Sequence, residues 1–135
     1  MRGILNFAVG IFVVAANGAS EVTCATGLYI LCARGSGEPA FSPTGIYPNN
    51  TGSPGYLALQ VAKQIDGSVI DGVVYPATDP LADGTLDLPA YVASEDAGAE
   101  AILEQVNQYH LSCPDSKIAL MGYSQVCATR VEHLC

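Results

Sequence analysis

Ser124 is the residue of this 135-residue chain best suited to nucleophilic chemistry. It lies in Gly122-Tyr123-Ser124-Gln125, directly after the apolar, β-branched run Lys117-Ile118-Ala119-Leu120-Met121. Such a run reads as a buried strand. A strand that ends on glycine, turns through serine and enters a helix forms a nucleophile elbow. Its corner lifts the serine oxygen above the sheet and aims the next amide, that of Gln125, where an oxyanion would form. The full pattern is G-x-S-x-G. Val126 stands where the second glycine belongs, so the match is incomplete. Alone, the motif fits an ordinary turn serine better; the strand before it and the rest of the chain reverse that preference.

A second stretch bears on the same chemistry. Leu28–Ala33 is a six-residue apolar run, readable as a buried parallel strand. It opens into Arg34-Gly35-Ser36-Gly37-Glu38-Pro39. Glycine-rich loops at the carboxyl ends of strands are where α/β folds place ligand contacts. Neither phosphate-binding glycine pattern is present, which leaves a flexible turn or an oxyanion loop.

The elements that must position these stretches follow in order. Residues 40–52 are rich in Pro, Gly, Asn and Ser and read as loop, with an N-x-T glycosylation sequon at Asn49. Ser53-Pro54 reads as a helix N-cap and first residue. Leu57, Val61 and Ile65, with Ala58 and Ala62 beside them, supply one apolar face of a helix ending at Asp66-Gly67. Residues 69–75 read as a β-branched strand. Residues 76–88 form a loop carrying Asp79, Asp83 and Asp87, without EF-hand spacing, so solvated charges rather than a calcium site are expected. Residues 89–110 form the longest helix, with Val92, Ala99, Leu103, Val106 and His110 along one face. The alternation predicts an α/β, three-layer sandwich with a mainly parallel sheet. The Ser36 loop, the Asp79 loop and Ser124 should then all emerge at the carboxyl edge of that sheet.

The N-terminus carries Arg2, a nearly continuous apolar run of about thirteen residues, and a small polar zone at Asn17-Gly18-Ala19-Ser20. This predicts a signal peptide over residues 1–20, preceding one domain over residues 21–135. The run is shorter than the ~20 residues that span a bilayer. The mature chain keeps thirteen acidic residues against four basic ones once Arg2 is removed, a net charge of about −9. That excludes a nucleic-acid or anionic-membrane partner, because no basic patch exists to neutralise phosphates. Export makes disulfides expected among Cys24, Cys32, Cys113, Cys127 and Cys135, and the odd count leaves at least one thiol over. No clustered metal-ligand spacing is present, and neither metal nor cofactor is expected.

Together these stretches resemble the cutinase family of serine esterases, which includes cutinases and acetylxylan esterases. The matching residues are Ala33-Arg34-Gly35-Ser36-Gly37-Glu38, Tyr75-Pro76-Ala77, and Cys113-Pro114 leading into Gly122-Tyr123-Ser124-Gln125. The resemblance implies an α/β-hydrolase fold, secretion, a monomer, and an ester substrate, either cutin-like polyester or acetylated polysaccharide. It implies Ser124 as nucleophile, Ser36 and the Gln125 amide as oxyanion donors, and a Cys24–Cys113 disulfide. Cys32 reads as a buried strand thiol, and the pairing of Cys127 and Cys135 stays open.

The resemblance stops after Gln125. The family places an Asp and then a His well downstream of the serine, but only eleven residues follow Ser124 and none is Asp. A helix continuing from the corner would carry His133 ~13.5 Å along its axis. His110 precedes the strand and falls about 20 Å away at ~3.3 Å per strand residue. A general base needs ~3 Å, so both histidines read as structural or surface residues. The chain is therefore expected to be an incomplete α/β-hydrolase fold, its C-terminal part missing, with impaired esterase activity. The alternative is a non-catalytic secreted binding remnant or fragment.

Overall fold

The structure, a computed structural model, describes residues 22–42 and 45–125. The expected leader, and the tail that holds Val126, Cys127, His133 and Cys135, lie outside the described residues. Five elements follow in order: β1 (Leu28–Ala33), α1 (Pro54–Gln64), β2 (Val69–Gly72), α2 (Leu88–Ser112) and β3 (Lys117–Gly122). The strands form one parallel sheet in the order β2-β1-β3. Helices cover both faces, giving the expected three layers of an incomplete α/β fold.

The central strand explains why both faces need cover. β1 is buried from Tyr29 to Ala33, and its side chains alternate between two cores. Tyr29, Leu31 and Ala33 join Val73, Tyr75, Ile102 and Tyr109 on the α2 side. Ile30 and Cys32 join Ala58 on the α1 side, with Val61, Ala62, Ala119 and Met121 packed around them. Burial pushes the Cys32 thiol up to about 11, helped by the Asp71 charge, which suits an unreactive packing group.

Both helices match the expected inward face only in part: Ala58, Val61 and Ala62 of α1 and Val106 of α2 pack on the cores. On α1, Leu57 and Ile65 are exposed, while Pro54, Gly55 and Ala58 are buried. The helix approaches its neighbours through small residues: a side chain at Gly55 would collide with Thr51. On α2, Val92, Leu103 and His110 are exposed, and the buried line is Ser94, Gly98, Ile102 and Tyr109. Gly98 receives the Tyr75 ring, whose Cδ2 would lie 2.9 Å from any Cβ there. Small and polar residues carry the closest contacts, so an apolar stripe alone marks only part of each buried face. β2 is also shorter than expected, four residues rather than seven. Gly72 ends it with its backbone pressed on the Asn49-Asn50 turn, where a Cβ would sit 2.5 Å from the Asn49 carbonyl.

The far end of the sheet is tied by a disulfide and a polar stack. Cys24 and Cys113 are bonded, with 5.5 Å between their Cα atoms and a sequence separation of 89. Closing so long a loop stabilises by about 4–5 kcal/mol in the chain-entropy description. Beside it the Tyr109 hydroxyl accepts the Ala25 amide at 2.8 Å, and its ring stacks on Tyr29 with centroids 3.6 Å apart. Tyr29 donates to Asp71 at 3.0 Å, and Gln105 donates to both.

Burial, opposed by the Gln105 hydrogen bond and reinforced by Asp71, raises the Tyr29 phenol from 10.0 to about 12. Its raised value favours the protonated folded state, so this stability is present below pH 10 and lost as pH climbs towards 12. Urea-unfolding midpoints should therefore fall across that interval, and Tyr29→Phe should flatten the fall. An equally steep fall in the variant would contradict this assignment.

Candidate active site

The parallel pairing of β1 and β3 brings two loops together. Ala33 is paired with Gly122, so the two strands end at the same level. Three residues beyond one end lies Ser36, and two residues beyond the other lies Ser124. Gly35 is packed against Tyr123, where a Cβ would fall 2.9 Å from the ring and 3.4 Å from the carbonyl oxygen. The glycine-rich loop and the serine corner are therefore neighbours.

Ser124 sits at the corner in the left-handed region, at φ +58°. A non-glycine residue held there costs on the order of 1–3 kcal/mol and persists only where its surroundings enforce it. Here the enforcing contacts lie on either side. β3 holds the chain up to Gly122. Gln125, fully buried, anchors the far side. Its side-chain nitrogen donates to the Tyr91 carbonyl at 3.2 Å, and its oxygen accepts from the Ser94 hydroxyl at 3.5 Å. Ser94 in turn accepts the Thr78 amide at 3.0 Å. The helix start after the corner is thus pinned to α2, and Ser124 is left exposed. Gln125 was expected to contribute only its backbone; its side chain holds the corner as well.

The Arg34–Glu38 loop is rigid rather than loose. Tyr75 donates its hydroxyl to the Arg34 carbonyl, and Arg34 Nη2 donates back to the Tyr75 carbonyl. The guanidinium carbon also lies 5.5 Å from the Tyr75 ring centroid. Arg34 Nη1 donates to the Glu38 carbonyl at 2.8 Å. Burial raises the Tyr75 phenol to about 12, with the Arg34 charge opposing and Glu38 adding. Gly37 donates its amide to Ala77 at 2.8 Å, and Glu38 donates its own to Gly35 at 3.1 Å. Ala77 is at φ +51°, and Gly37 at φ +72°. The two motifs Arg34-Gly35-Ser36-Gly37-Glu38 and Tyr75-Pro76-Ala77 are one interlocked unit.

Within that unit the amides of Gly35, Gly37 and Glu38 all have acceptors. The Ser36 hydroxyl is buried and has no hydrogen-bond partner among the described residues. Tyr91 faces it from α2, with Glu95 one turn further on. Burial, then the Glu95 carboxylate, raises the Tyr91 phenol, and Ser36 acts in the opposite sense. Like the Ser36 hydroxyl, Glu95 Oε1 is buried and unpartnered among the described residues.

The other sequence candidates fall outside this cluster. Asp79, Asp83 and Asp87 accept the amides of Leu81, Thr85 and Ala90, each at about 3 Å, so each caps its own local turn. No group of three or more metal-ligating side chains occurs among the described residues. His110 is exposed in the last turn of α2, on the approach to the disulfide and away from the corner. His133 lies outside the described residues. Asn49 is exposed, while Thr51 is fully buried with its hydroxyl donating to Pro48 at 2.6 Å. No helix among the described residues is long and apolar enough to cross a membrane.

The chain is similar to known proteins in sequence and fold. A family model described as Cutinase matches residues 24–135. A cutinase of Botryotinia fuckeliana is 30% identical over 112 residues, covering 82% of this chain and 48% of that protein. Acetylxylan esterase 2 of Talaromyces purpureogenus is 32% identical over 80 residues, covering 56% of this chain and 33% of that protein. The catalytic core domain of acetyl xylan esterase from Trichoderma reesei superposes with a TM-score of 0.60 at 28% identity, covering 83% of this chain and 48% of that one. The chain thus spans about half the length of the first of these relatives, and less of the second. On the strength of the matched residues, the chain belongs to the cutinase family.

Proposed function

We propose that the protein is a secreted serine carboxylic-ester hydrolase that works by acyl transfer through Ser124. The observation that carries this reading is the exposed Ser124 at φ +58°, next to a loop that keeps an unpartnered Ser36 hydroxyl. In acyl transfer the serine oxygen attacks the ester carbonyl, the alcohol departs, and water later releases the acid. The amide of Gln125 opens a helix, so it has no intrahelical acceptor and can face the oxyanion. Ser36 is the second donor. Removing one such donor typically costs on the order of 10²–10³ in rate. The names of its relatives, cutinase and acetylxylan esterase, support a cutin-like polyester or an acetylated polysaccharide as the substrate.

The 135-residue chain itself should be slow. His110 is remote from Ser124, so no described residue serves as general base. Oxyanion and binding effects alone leave roughly 10³–10⁴-fold catalysis over water in serine hydrolases. With p-nitrophenyl butyrate, the chain should show a weak turnover that Ser124→Ala abolishes. Turnover that survives Ser124→Ala would contradict the assignment. A fast Ser124-dependent rate would contradict the impairment.

Export is the accompanying reading, with residues 1–20 as signal peptide and residues 21–135 as the mature domain. The Cys24–Cys113 bond supports it, because such bonds persist in oxidising compartments. Asn49 is the glycan acceptor on an exposed turn. Its Thr51 hydroxyl is engaged in the folded chain, so attachment precedes folding. Chain recovered from the medium of a eukaryotic host should start near Ser20 and lose mass on glycosidase treatment, unless Asn49 is replaced by Gln. An intact leader, or a mass indifferent to Asn49→Gln, would refute this.

A further inference from the structure

Glu38 holds both ends of the candidate oxyanion loop, and nothing in the proposed chemistry requires a carboxylate there. Its Oε2 accepts the Gly35 amide at 2.6 Å. Its Oε1 accepts the Ser53 amide at 3.0 Å and the Ser53 hydroxyl as well. Ser53 was expected to cap α1 with its own side chain. It makes no such bond, and its hydroxyl points to Glu38 instead. The carboxylate therefore sits at the start of α1, where the helix dipole favours negative charge, and links that start to the loop. The fit is close: Gly52, at φ +58°, lies against the carboxylate so tightly that a Cβ would overlap it. Charge-assisted bonds of this kind are about twice as strong as neutral ones.

We infer that Glu38 is a positioning residue, a carboxylate clamp that fixes the Ser36 loop against the start of α1 so that the Ser36 donor faces Ser124. By occupying the Gly35 amide it also leaves the loop one defined place for an oxyanion, at Ser36. The catalytic part of the inference rests on the reading of Ser36 as an oxyanion donor; the clamp itself does not.

Glu38→Gln separates the two. The variant keeps the volume but has one side-chain acceptor in place of two, and its amide group opposes one of the bound N–H groups. Hydrogen exchange should then accelerate about 10- to 100-fold at Gly35, Ser53 or both, with Ile30 and Leu31 in β1 unchanged as the check on folding. Unchanged exchange at both Gly35 and Ser53 would overturn the clamp, whether or not the chain reacts with esters. Phosphonylation by a p-nitrophenyl phosphonate reads the second part. Ser124 Oγ bonds to phosphorus, p-nitrophenolate leaves, the serine proton passes to water, and the phosphoryl oxygen occupies the oxyanion position. Labelling should slow at least about tenfold in Glu38→Gln and in Ser36→Ala, and the double variant should be no slower than Ser36→Ala, because both act through one donor. Slowing in Ser36→Ala but not in Glu38→Gln would overturn the positioning role. No slowing in Ser36→Ala would overturn the Ser36 hydroxyl as donor and leave the exchange result to judge the clamp.

Discussion

Ala33 faces Gly122 across a parallel ladder, and that single registration sets where the two candidate loops leave the sheet. Parallel strands that start level also finish level. Chain leaving β1 and chain leaving β3 must then turn in the same place, above the carboxyl edge of the sheet. A slip of one residue would also invert the alternation in β1, pointing Tyr29 and Leu31 to the α1 side and Ile30 to the α2 side. Because both sides of β1 are fully buried, that slip would be heavily penalised. The precision of the Ser36–Ser124 neighbourhood is thus inherited from core packing.

Two loops held close must also be held still. The chain does this with polar contacts of long sequence reach. Arg34 and Tyr75 exchange bonds across 41 positions, and Gln125 reaches back to Tyr91 and Ser94 on α2. Glu38 adds the connection to α1. The Arg34, Tyr75 and Gln125 contacts are buried or partly buried, so losing one partner there would strand the other, which costs more than the bond itself contributes. This network explains how Ser124 and Ala77 are kept at positive φ without being glycine. Strain at the corner is balanced by contacts around it.

Much of this was legible in the sequence, and the limits are physical. β1 was readable to the residue, since a fully buried strand must be a continuous apolar run. β3 and its corner were readable because glycine before serine marks an abrupt turn. The helix faces were only partly legible because Gly55, Ser94 and Gly98 achieve contact by being small, and smallness leaves no hydrophobic period. The Arg34–Tyr75 pairing and the Glu38 clamp were not legible at all. Nothing local distinguishes a loop arginine that reaches another strand's carbonyl from one that faces water. The resemblance put the right motifs side by side, but only coordinates show which atoms join them.

The central claim is that an abrupt backbone corner presents the Ser124 oxygen to donors on two separate loops. The most direct test is a crystal structure of the chain after reaction with a p-nitrophenyl phosphonate. The account predicts phosphorus bonded to Ser124 Oγ, with the phosphoryl oxygen within ~3 Å of both the Gln125 amide and Ser36. Phosphorus on another residue, or a phosphoryl oxygen turned to solvent away from Ser36, would contradict it.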